Sequence, residues 1–400
     1  MSARSSAPDP VVGSGQLRIL HVIATMAPSS GGPREGLLRT SEALARLGCH
    51  TEVVTCDRPG SPWLAELPLV VHALGPPTRR YHFARRIVPW LRMNRGRFDA
   101  GIAHGIWNFA SLGTWLGFKG GRTPYLIFTH GMLDPYFAAA QPWKWRAKQL
   151  FWWALERRVL RDAAMVLFTT EEERRLAIQA FPADRFRQRV VAFGTADNDG
   201  DPAAQRAAFR RYVPALGERR FLLFLSRIHP KKGCDLLVRG FAAVAHANPD
   251  LDLVIAGPDE TGWRAKLERL AAELGVASRV HWPGLLTGDE KWGAFRACEA
   301  FVLPSHQENF GIVVAEAMAS GAPVLITDKV NIWREVDSAG AGLVASDDLA
   351  GVTSLLARFL GLGATERAQM GAAARAAFLE RFGIEEAASD LVRAIQEVGA

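Results

Sequence analysis

The strongest constraint on the fold is a repeated order of elements: a short apolar strand, a turn-rich loop, and then a helix. The first half begins with a predicted strand at 17–25, a loop rich in Gly, Pro and Ser at 27–36, a helix at about 35–47 and a second strand at 51–55. The second half restarts the same order at 221–225. Such units build parallel sheets covered by helices. The sequence therefore predicts an α/β protein with two Rossmann-like parallel-sheet domains that face each other across a cleft.

The predicted domain boundaries follow changes in composition. Residues 1–16 are polar and lack an apolar run, so we expect a disordered leader rather than a signal peptide. Residues 17–200 form the predicted N-terminal domain and 201–384 the C-terminal domain, and the turn-rich stretch 194–202 is the predicted linker. The last predicted helix, in 385–400, is expected to cross back to the N-terminal domain.

The charge is distributed unevenly along the chain. Residues 17–200 contain 25 Lys and Arg against 15 Asp and Glu, whereas residues 201–400 contain 22 against 25. A basic first half indicates an acidic partner such as an anionic membrane, a phosphorylated substrate or nucleic acid. Nucleic acid is not expected, because the basic residues form no recognised nucleic-acid-binding module.

The cysteines give no sign of a metal site or of a disulfide framework. None of the four forms a CxxC pair, so a reducing cytoplasm is the expected compartment. No apolar run approaches the length needed to span a bilayer. The expected location is the cytoplasm, with peripheral binding to the inner face of the cell membrane as an option.

An acidic segment at Ser305–Pro323, SHQENFGIVVAEAMASGAP, follows a predicted buried strand. Glu308 lies in the loop and Glu316 lies on the following helix, and Gly311 stands near the helix start. A helix N-terminus binds phosphate, whereas a carboxylate beside it accepts hydrogen bonds from hydroxyls. This combination fits a ligand with both groups, such as a nucleotide sugar. An amphipathic helix with two surface acids is the alternative.

A cationic segment follows the first predicted strand of the second half. Arg227 and Lys232 lie on a loop that opens a helix, and Gly233 keeps this loop close to its surroundings. Arg supplies a planar fork of donors and Lys a point charge, so the pair can neutralise a leaving diphosphate. Each residue taken singly is an ordinary surface cation.

Three features of the first half are candidates for function. Gly31 and Gly32 would let backbone amides meet a phosphate or sugar, and a merely flexible loop is the alternative. His104 and His130 end predicted strands, where ligands of parallel sheets bind, although a single histidine there is more often structural. The predicted helix at 143–162, WKWRAKQLFWWALERRVLRD, either packs its aromatic residues on the sheet or forms a cationic, Trp-rich surface for a membrane.

These motifs resemble those of family-4 retaining glycosyltransferases of the GT-B fold. The run from Ser226 to Asp235 is similar to their G-R-L-x-x-x-K-G-x-D motif, and the run from Glu308 to Ala317 is similar to their E-x7-E motif. Ser29–Pro33 resembles their glycine-rich first loop, and Thr129–Met132 resembles their N-terminal histidine segment. The similarity extends over about residues 17–395.

The resemblance implies a role for each matching residue. Arg227 and Lys232 would hold the donor diphosphate, Glu316 the ribose, and Glu308 the donor sugar. His130 would lie by the reacting anomeric carbon, and it joins Arg227, Lys232 and Glu308 as an expected catalytic residue. The remaining donor-binding candidates are Ser226, Gly257, Leu285, Leu286, Asn309, Phe310 and Gly311; the base would lie near 284–286, and Gly31 and Gly32 would serve the acceptor or a phosphate. The family commonly needs no metal, so no metal and no cofactor are expected.

Two residues depart from the family pattern. Ser226 and Asn309 each stand where glycine is usual, and we expect both changes to tune donor choice rather than to abolish activity.

The predicted function is the transfer of a sugar from a UDP- or GDP-sugar to a glycan acceptor, linked to lipid through pyrophosphate, in exopolysaccharide or O-antigen assembly. The alternatives are a soluble acceptor on the same fold and a non-catalytic nucleotide-sugar-binding scaffold.

Overall fold

The first half of the chain folds around a parallel sheet of seven strands. The computed structural model describes residues 16–78, 81–136, 142–181 and 186–399. The strands of this sheet are β1 (Arg18–Ile23), β2 (His50–Thr55), β3 (Val70–Ala73), β4 (Ala100–His104), β5 (Tyr125–Phe128), β6 (Met165–Phe168) and β7 (Gln188–Val190). Their order is β3-β2-β1-β4-β5-β6-β7, and all neighbours pair in parallel. The order reverses between β1 and β4, where loops leave a crevice for a ligand.

The second half forms a parallel sheet of six described strands. They are β8 (Arg220–Leu225), β9 (Leu251–Ala256), β10 (Val280–Gly284), β11 (Ala300–Leu303), β12 (Val324–Thr327) and β13 (Gly342–Ala345). Their order is β10-β9-β8-β11-β12-β13, so the reversal lies between β8 and β11. The prediction of two parallel-sheet domains is confirmed. The edge strand β13 was not predicted from the sequence; it has four residues, and its last three are only partly buried.

Helices cover both sheets. The α-helices of the described residues are Gly32–Arg46, Ile87–Asn94, Phe109–Phe118, Pro142–Phe151, Arg157–Arg161, Glu171–Ala180, Pro202–Tyr212, Cys234–Ala245, Arg264–Glu273, Gly288–Ala297, Ile312–Ala319, Trp333–Ser338, Leu349–Gly361, Ala364–Arg381 and Ile384–Gly399. Trp152–Glu156 is a π-helical stretch between two of them. Phe109–Phe118 was not predicted as a helix, since it is apolar nearly all round and lacks an amphipathic stripe.

The final helix, Ile384–Gly399, packs against the helix Gly32–Arg46 of the first half. Its buried face, which includes Leu391, joins the core on one side of the seven-stranded sheet. Asp390 accepts hydrogen bonds from the backbone N–H of Ala192 at 2.9 Å and from Arg189 at 2.6 Å. The predicted leader lies outside the described residues, apart from Gln16.

The two halves touch directly through polar side chains. Gln307 donates a hydrogen bond to Asp134 at 3.1 Å, and Arg334 forms an ion pair with Glu172. In the described part of the chain, no helix is both long enough and apolar enough to cross a bilayer.

Candidate active site

The acidic segment and the cationic segment meet because their strands are neighbours. Lys232 follows β8 and Glu308 follows β11, and β8 pairs with β11 at the point where the strand order reverses. The Lys232 ammonium forms an ion pair with the Glu308 carboxylate, and both side chains are mostly buried. One residue of the cationic segment and one of the acidic segment therefore lie in contact at a predicted ligand crevice.

The Lys232 loop is shaped by a glycine. Gly233 has φ +66°, and a Cβ there would lie 2.0 Å from the carbonyl oxygen of Pro304. Only glycine fits this close approach between the two loops. Arg227 on the same loop is different, since its side chain is 59% exposed and lies 4.0 Å from Glu260. It is therefore free to turn toward an anionic ligand.

The start of the helix Ile312–Ala319 is formed by the acidic loop. Gly311 has φ +77° and precedes the helix without a capping side chain, so backbone N–H groups at the start are open to a ligand. The backbone of Glu308 is held by hydrogen bonds to Lys329 and from Asn331, at 2.9 and 3.0 Å. Phe310 packs its ring against Phe193, with centroids 5.0 Å apart, so its backbone rather than its side chain is available to a ligand.

The carboxylate of Glu316 is held by two cations that the sequence did not single out. Its Oε1 accepts hydrogen bonds from Lys291 at 3.0 Å and from Arg39 at 3.1 Å. Arg39 belongs to the helix Gly32–Arg46 and also contacts Thr195. Because Arg39 comes from the first half of the chain, Glu316 joins the two domains.

The remaining donor-site candidates differ in how they are placed. A Cβ at Gly257 would lie 1.8 Å from the carbonyl oxygen of Ser226, so this glycine permits close packing of two loops. Leu285 is exposed, whereas Leu286 lies in the core of the second half. Only the backbone of Leu286 is available to a ligand.

His130 lies at the carboxyl end of β5 in a strained conformation. Its φ is +49°, a value that is uncommon outside glycine and is often found at functional sites. Nε2 of His130 lies 3.1 Å from Nδ1 of His104. Burial lowers the pKa of His130 to about 4, so the ring is neutral at physiological pH.

A buried carboxylate fixes the His130 turn and was missed in the sequence. Glu173 accepts hydrogen bonds from the Thr129 hydroxyl and from the Gly131 backbone N–H, both at 2.6 Å. Its second oxygen accepts from the backbone N–H and the hydroxyl of Thr169 at 2.8 and 2.7 Å. Thr170 and Glu173 have the T-x-x-E spacing of a helix cap, which hides this second role.

Asn309 brings the acidic loop to the His130 turn. Its Nδ2 donates to Thr169 at 3.1 Å and lies 3.3 Å from Glu173. A Cβ at Gly131 would lie 2.6 Å from Oδ1 of Asn309, so the two loops are in direct contact. The structure therefore gathers His130, Lys232, Glu308 and Asn309 into one cluster.

The glycine-rich turn of the first half stays open. Gly31 has φ +68°, and within the described residues no atom lies within 4 Å of a Cβ built at Gly31 or Gly32. The helix Gly32–Arg46 begins here without a capping side chain. Its first N–H groups are therefore available to a ligand.

Two family models match nearly all of the chain. Residues 31–194 match the glycosyl transferase 4-like domain, and residues 205–377 match the glycosyl transferases group 1. The chain belongs to this glycosyltransferase family. The family and the GT-B fold predicted from the motifs are confirmed.

Sequence relatives of this glycosyltransferase are named D-inositol 3-phosphate glycosyltransferase. The relative from Nocardia farcinica is 34% identical over 197 residues, which are 47% of this chain and 43% of the relative. The relative from Streptomyces scabiei is 32% identical over 242 residues, which are 58% and 54%. The chain thus spans about half of the length of these relatives.

Solved structures with the same fold cover the glycosyltransferase almost completely. The Anabaena protein HepE, in complex with UDP and glucose, aligns with a TM-score of 0.75 at 17% identity over 96% of this chain and 100% of that one. Sucrose-phosphate synthase from Thermosynechococcus elongatus aligns with a TM-score of 0.73 at 19% identity over 96% and 99%. Both similarities concern the fold.

Proposed function

We propose that this glycosyltransferase moves a sugar from a UDP- or GDP-sugar to a glycan acceptor and retains the anomeric configuration. The contact between Lys232 and Glu308 carries the proposal. A cation for the diphosphate and a carboxylate for the sugar hydroxyls then stand side by side, at the place where parallel sheets bind ligands. HepE, which has the same fold, is in complex with UDP and glucose.

The donor would lie along the acidic loop. Glu316 accepts hydrogen bonds from the ribose hydroxyls through Oε2, since Arg39 and Lys291 both contact Oε1. Glu308 binds the sugar. The N–H groups at the start of the helix Ile312–Ala319 bind the nearest phosphate. The base lies by Leu285, which is exposed at the end of β10.

The transfer step requires charge stabilisation on the leaving group. As the bond from the anomeric carbon to the diphosphate oxygen breaks, its electron pair stays on that oxygen, and Lys232 and Arg227 stabilise the new charge. The acceptor hydroxyl attacks from the same face and gives its proton to the leaving phosphate oxygen. His130 lies beside the reacting carbon as a neutral ring. A charged ring there would repel the positive charge of the oxocarbenium-like centre.

Metal independence is part of this proposal. Arg227 and Lys232 supply the positive charge that a divalent ion supplies in other transferases. Transfer rates should therefore be the same with EDTA and with added Mg²⁺. A requirement for a divalent ion would remove the assignment of diphosphate neutralisation to the two side chains.

A lipid-linked acceptor is favoured by the outer surface of the segment 142–161. Trp145 and Trp152 pack inward, as one of the two sequence alternatives expected. Trp143, Leu150 and Trp153 remain 70%, 74% and 52% exposed. Arg157 lies 4.5 Å above the Trp153 ring, so cations and apolar groups share one surface. Such surfaces bind anionic membranes at the cytoplasmic face.

A soluble phosphorylated acceptor is the second candidate, and the relatives favour it. They are named for D-inositol 3-phosphate, and the first half of this chain is basic. A basic domain suits a free phosphorylated polyol as well as a lipid pyrophosphate. The two candidates share the donor site and differ in the partner of the exposed Trp surface.

Two experiments test these proposals. Radiolabelled UDP- and GDP-sugars are supplied together with membrane lipid extract or with inositol phosphates, and the labelled product is identified. Label in the lipid fraction supports the lipid-linked acceptor, and label only in a soluble product overturns it. Flotation with anionic liposomes is the second test: wild type should float, and the Trp143→Ser/Trp153→Ser variant should stay at the bottom with unchanged donor hydrolysis.

A further inference from the structure

Three histidines form a chain that leads from the core to the candidate active site. Nδ1 of His21 lies 2.9 Å from Nε2 of His104, and Nδ1 of His104 lies 3.1 Å from Nε2 of His130. They come from the ends of β4 and β5 and from the middle of β1, which are three adjacent strands. At the core end of this row of histidines, Nε2 of His21 is buried and has no hydrogen-bond partner among the described residues.

All three rings are neutral at physiological pH. Burial lowers the pKa of His21 and of His130 to about 4. Burial, together with the neighbouring His21 and His130, lowers the pKa of His104 well below its usual value. A neutral imidazole carries one N–H and one bare nitrogen. Each hydrogen bond in the chain therefore needs a donor nitrogen opposite a bare one.

Only two arrangements of the protons satisfy both hydrogen bonds. If His104 carries its proton on Nδ1, it donates to His130 and accepts from His21, so His130 must carry its proton on Nδ1. If His104 carries its proton on Nε2, all three rings carry theirs on Nε2. His104 thus couples the proton position on the buried His21 to the proton position on His130 in the cleft.

The buried end favours the first arrangement. The second arrangement leaves an N–H of His21 in the core with no acceptor, and orphaned buried N–H groups are rarer in proteins than under-satisfied acceptors. In the first arrangement Nδ1 of His130 is a donor, and it has no partner among the described residues. Phe128 stacks against His104 and His130 at centroid distances of 5.7 and 5.4 Å and keeps both rings in place.

We propose that His21 and His104 are positioning residues that fix His130 as the Nδ1–H tautomer, so that a neutral N–H donor faces the ligand in the cleft. The inference rests on the proposed function only for the identity of that ligand, whose phosphate or hydroxyl oxygens would accept the hydrogen bond. The tautomer itself is a property of the protein without substrate.

Nitrogen NMR of the full-length protein tests the tautomer. Histidine ring nitrogens labelled with ¹⁵N distinguish N–H from bare nitrogen, and the signals of His21, His104 and His130 are assigned from single variants. All three rings should be Nδ1–H at pH 7.5. A signal of His130 as Nε2–H overturns the proposal, whether or not the protein transfers sugar.

Variants of His21 separate positioning from packing. His21→Phe keeps a ring of similar size but removes the donor, so His130 should become a mixture of tautomers and kcat should fall by about tenfold with little change in the KM for the donor sugar. His21→Asn places an amide donor near the former Nδ1 and should restore both the tautomer and most of kcat. Thr40→Val, in the same small cavity, is the matched control and should change neither. An unchanged His130 tautomer in His21→Phe overturns the coupling.

Discussion

Arg39 donates a hydrogen bond of 3.1 Å to the carboxylate of Glu316, across the boundary between the two domains. With Lys291 on the same oxygen, the carboxylate is oriented before any nucleotide arrives. An oriented acceptor loses less conformational freedom on binding than a mobile one. This arrangement makes Glu316 a suitable anchor for the ribose.

We expect the Glu316→Gln variant to bind UDP about ten- to hundredfold more weakly, because hydrogen bonds to a charged group contribute about 1.5–3 kcal/mol. Inhibition by inorganic pyrophosphate should stay unchanged, since it has no ribose. Calorimetric titration with UDP and inhibition assays with pyrophosphate measure the two effects. Glu380→Gln, at an exposed acid that pairs with the neighbouring Arg381, is the control. Equal loss for both ligands would indicate collapse of the cleft instead.

Lys232 is expected to act on the leaving diphosphate. The Lys232→Met variant keeps much of the length of the side chain and removes its charge, so kcat should fall by at least about hundredfold. Arg227→Ala should give a loss in the same direction without destabilising the protein, because that side chain is exposed. Lys266→Ala, on the surface of the same domain, should behave as wild type. Near-normal turnover in either test variant would refute the diphosphate assignment.

Glu173 holds the turn that carries His130, and its role should appear in activity and in stability. In Glu173→Gln the amide cannot accept all of the hydrogen bonds from Thr129, Gly131 and Thr169, so the free energy of unfolding should fall by about 1–3 kcal/mol. Turnover should fall as well, because the turn is no longer fixed. Urea unfolding and initial rates measure both quantities. Glu171→Gln, on the same helix but paired with Arg174 at the surface, should change neither.

The sequence predicted the sheets and the donor-side motifs because both are local. Short apolar runs such as 300–303 determine strands, and the spacing of Glu308 and Glu316 lies within one loop and one helix. Lys232 and Glu308 could be assigned to one donor site from the sequence, since each follows a predicted strand. In the structure they form an ion pair. The local sequence patterns therefore predicted the donor side of the site, which the second half of the chain forms.

The side of the site that the first half of the chain forms depends on contacts between residues far apart in the sequence. Arg39 and Glu316 are 277 positions apart, and Glu173 and Asn309 are 136 apart. No spacing rule relates such pairs, and Arg39 and Glu173, taken alone, are ordinary charged positions on helices. His21 lies within an apolar strand and is distinguished only by its contact with His104. Arg39, Glu173 and the role of His21 could be found only from the fold.

A further buried acid, Glu156, lies in the π-helical stretch of the first half. Its Oε1 accepts hydrogen bonds from the Trp107 backbone N–H at 3.0 Å and from the Ser111 hydroxyl at 3.2 Å. Burial raises the pKa of Glu156 to about 7, despite these hydrogen bonds. The native state therefore keeps a proton on Glu156 between pH 4.5 and 7, whereas the unfolded chain releases it.

This shift predicts how stability depends on pH. A raised carboxyl pKa contributes stability that is fully present below the unfolded value and is lost as the pH rises through 7. Glu156→Gln resembles the protonated acid and does not titrate. The difference in unfolding free energy between variant and wild type should therefore rise from pH 4.5 to 7, by at most about 1.4 kcal/mol per pH unit, and stay level above pH 7.

Urea unfolding of both proteins at pH 4.5, 6, 7 and 8 measures this difference. The buried histidines titrate over an overlapping range with the opposite effect on stability, and they cancel because both proteins contain them. Asp162→Asn is the control, since Arg161 and Trp115 lower the pKa of that acid. It should lose stability relative to wild type above about pH 4. A difference for Glu156→Gln that does not change between pH 4.5 and 7 would show that Glu156 is ionised in the native protein.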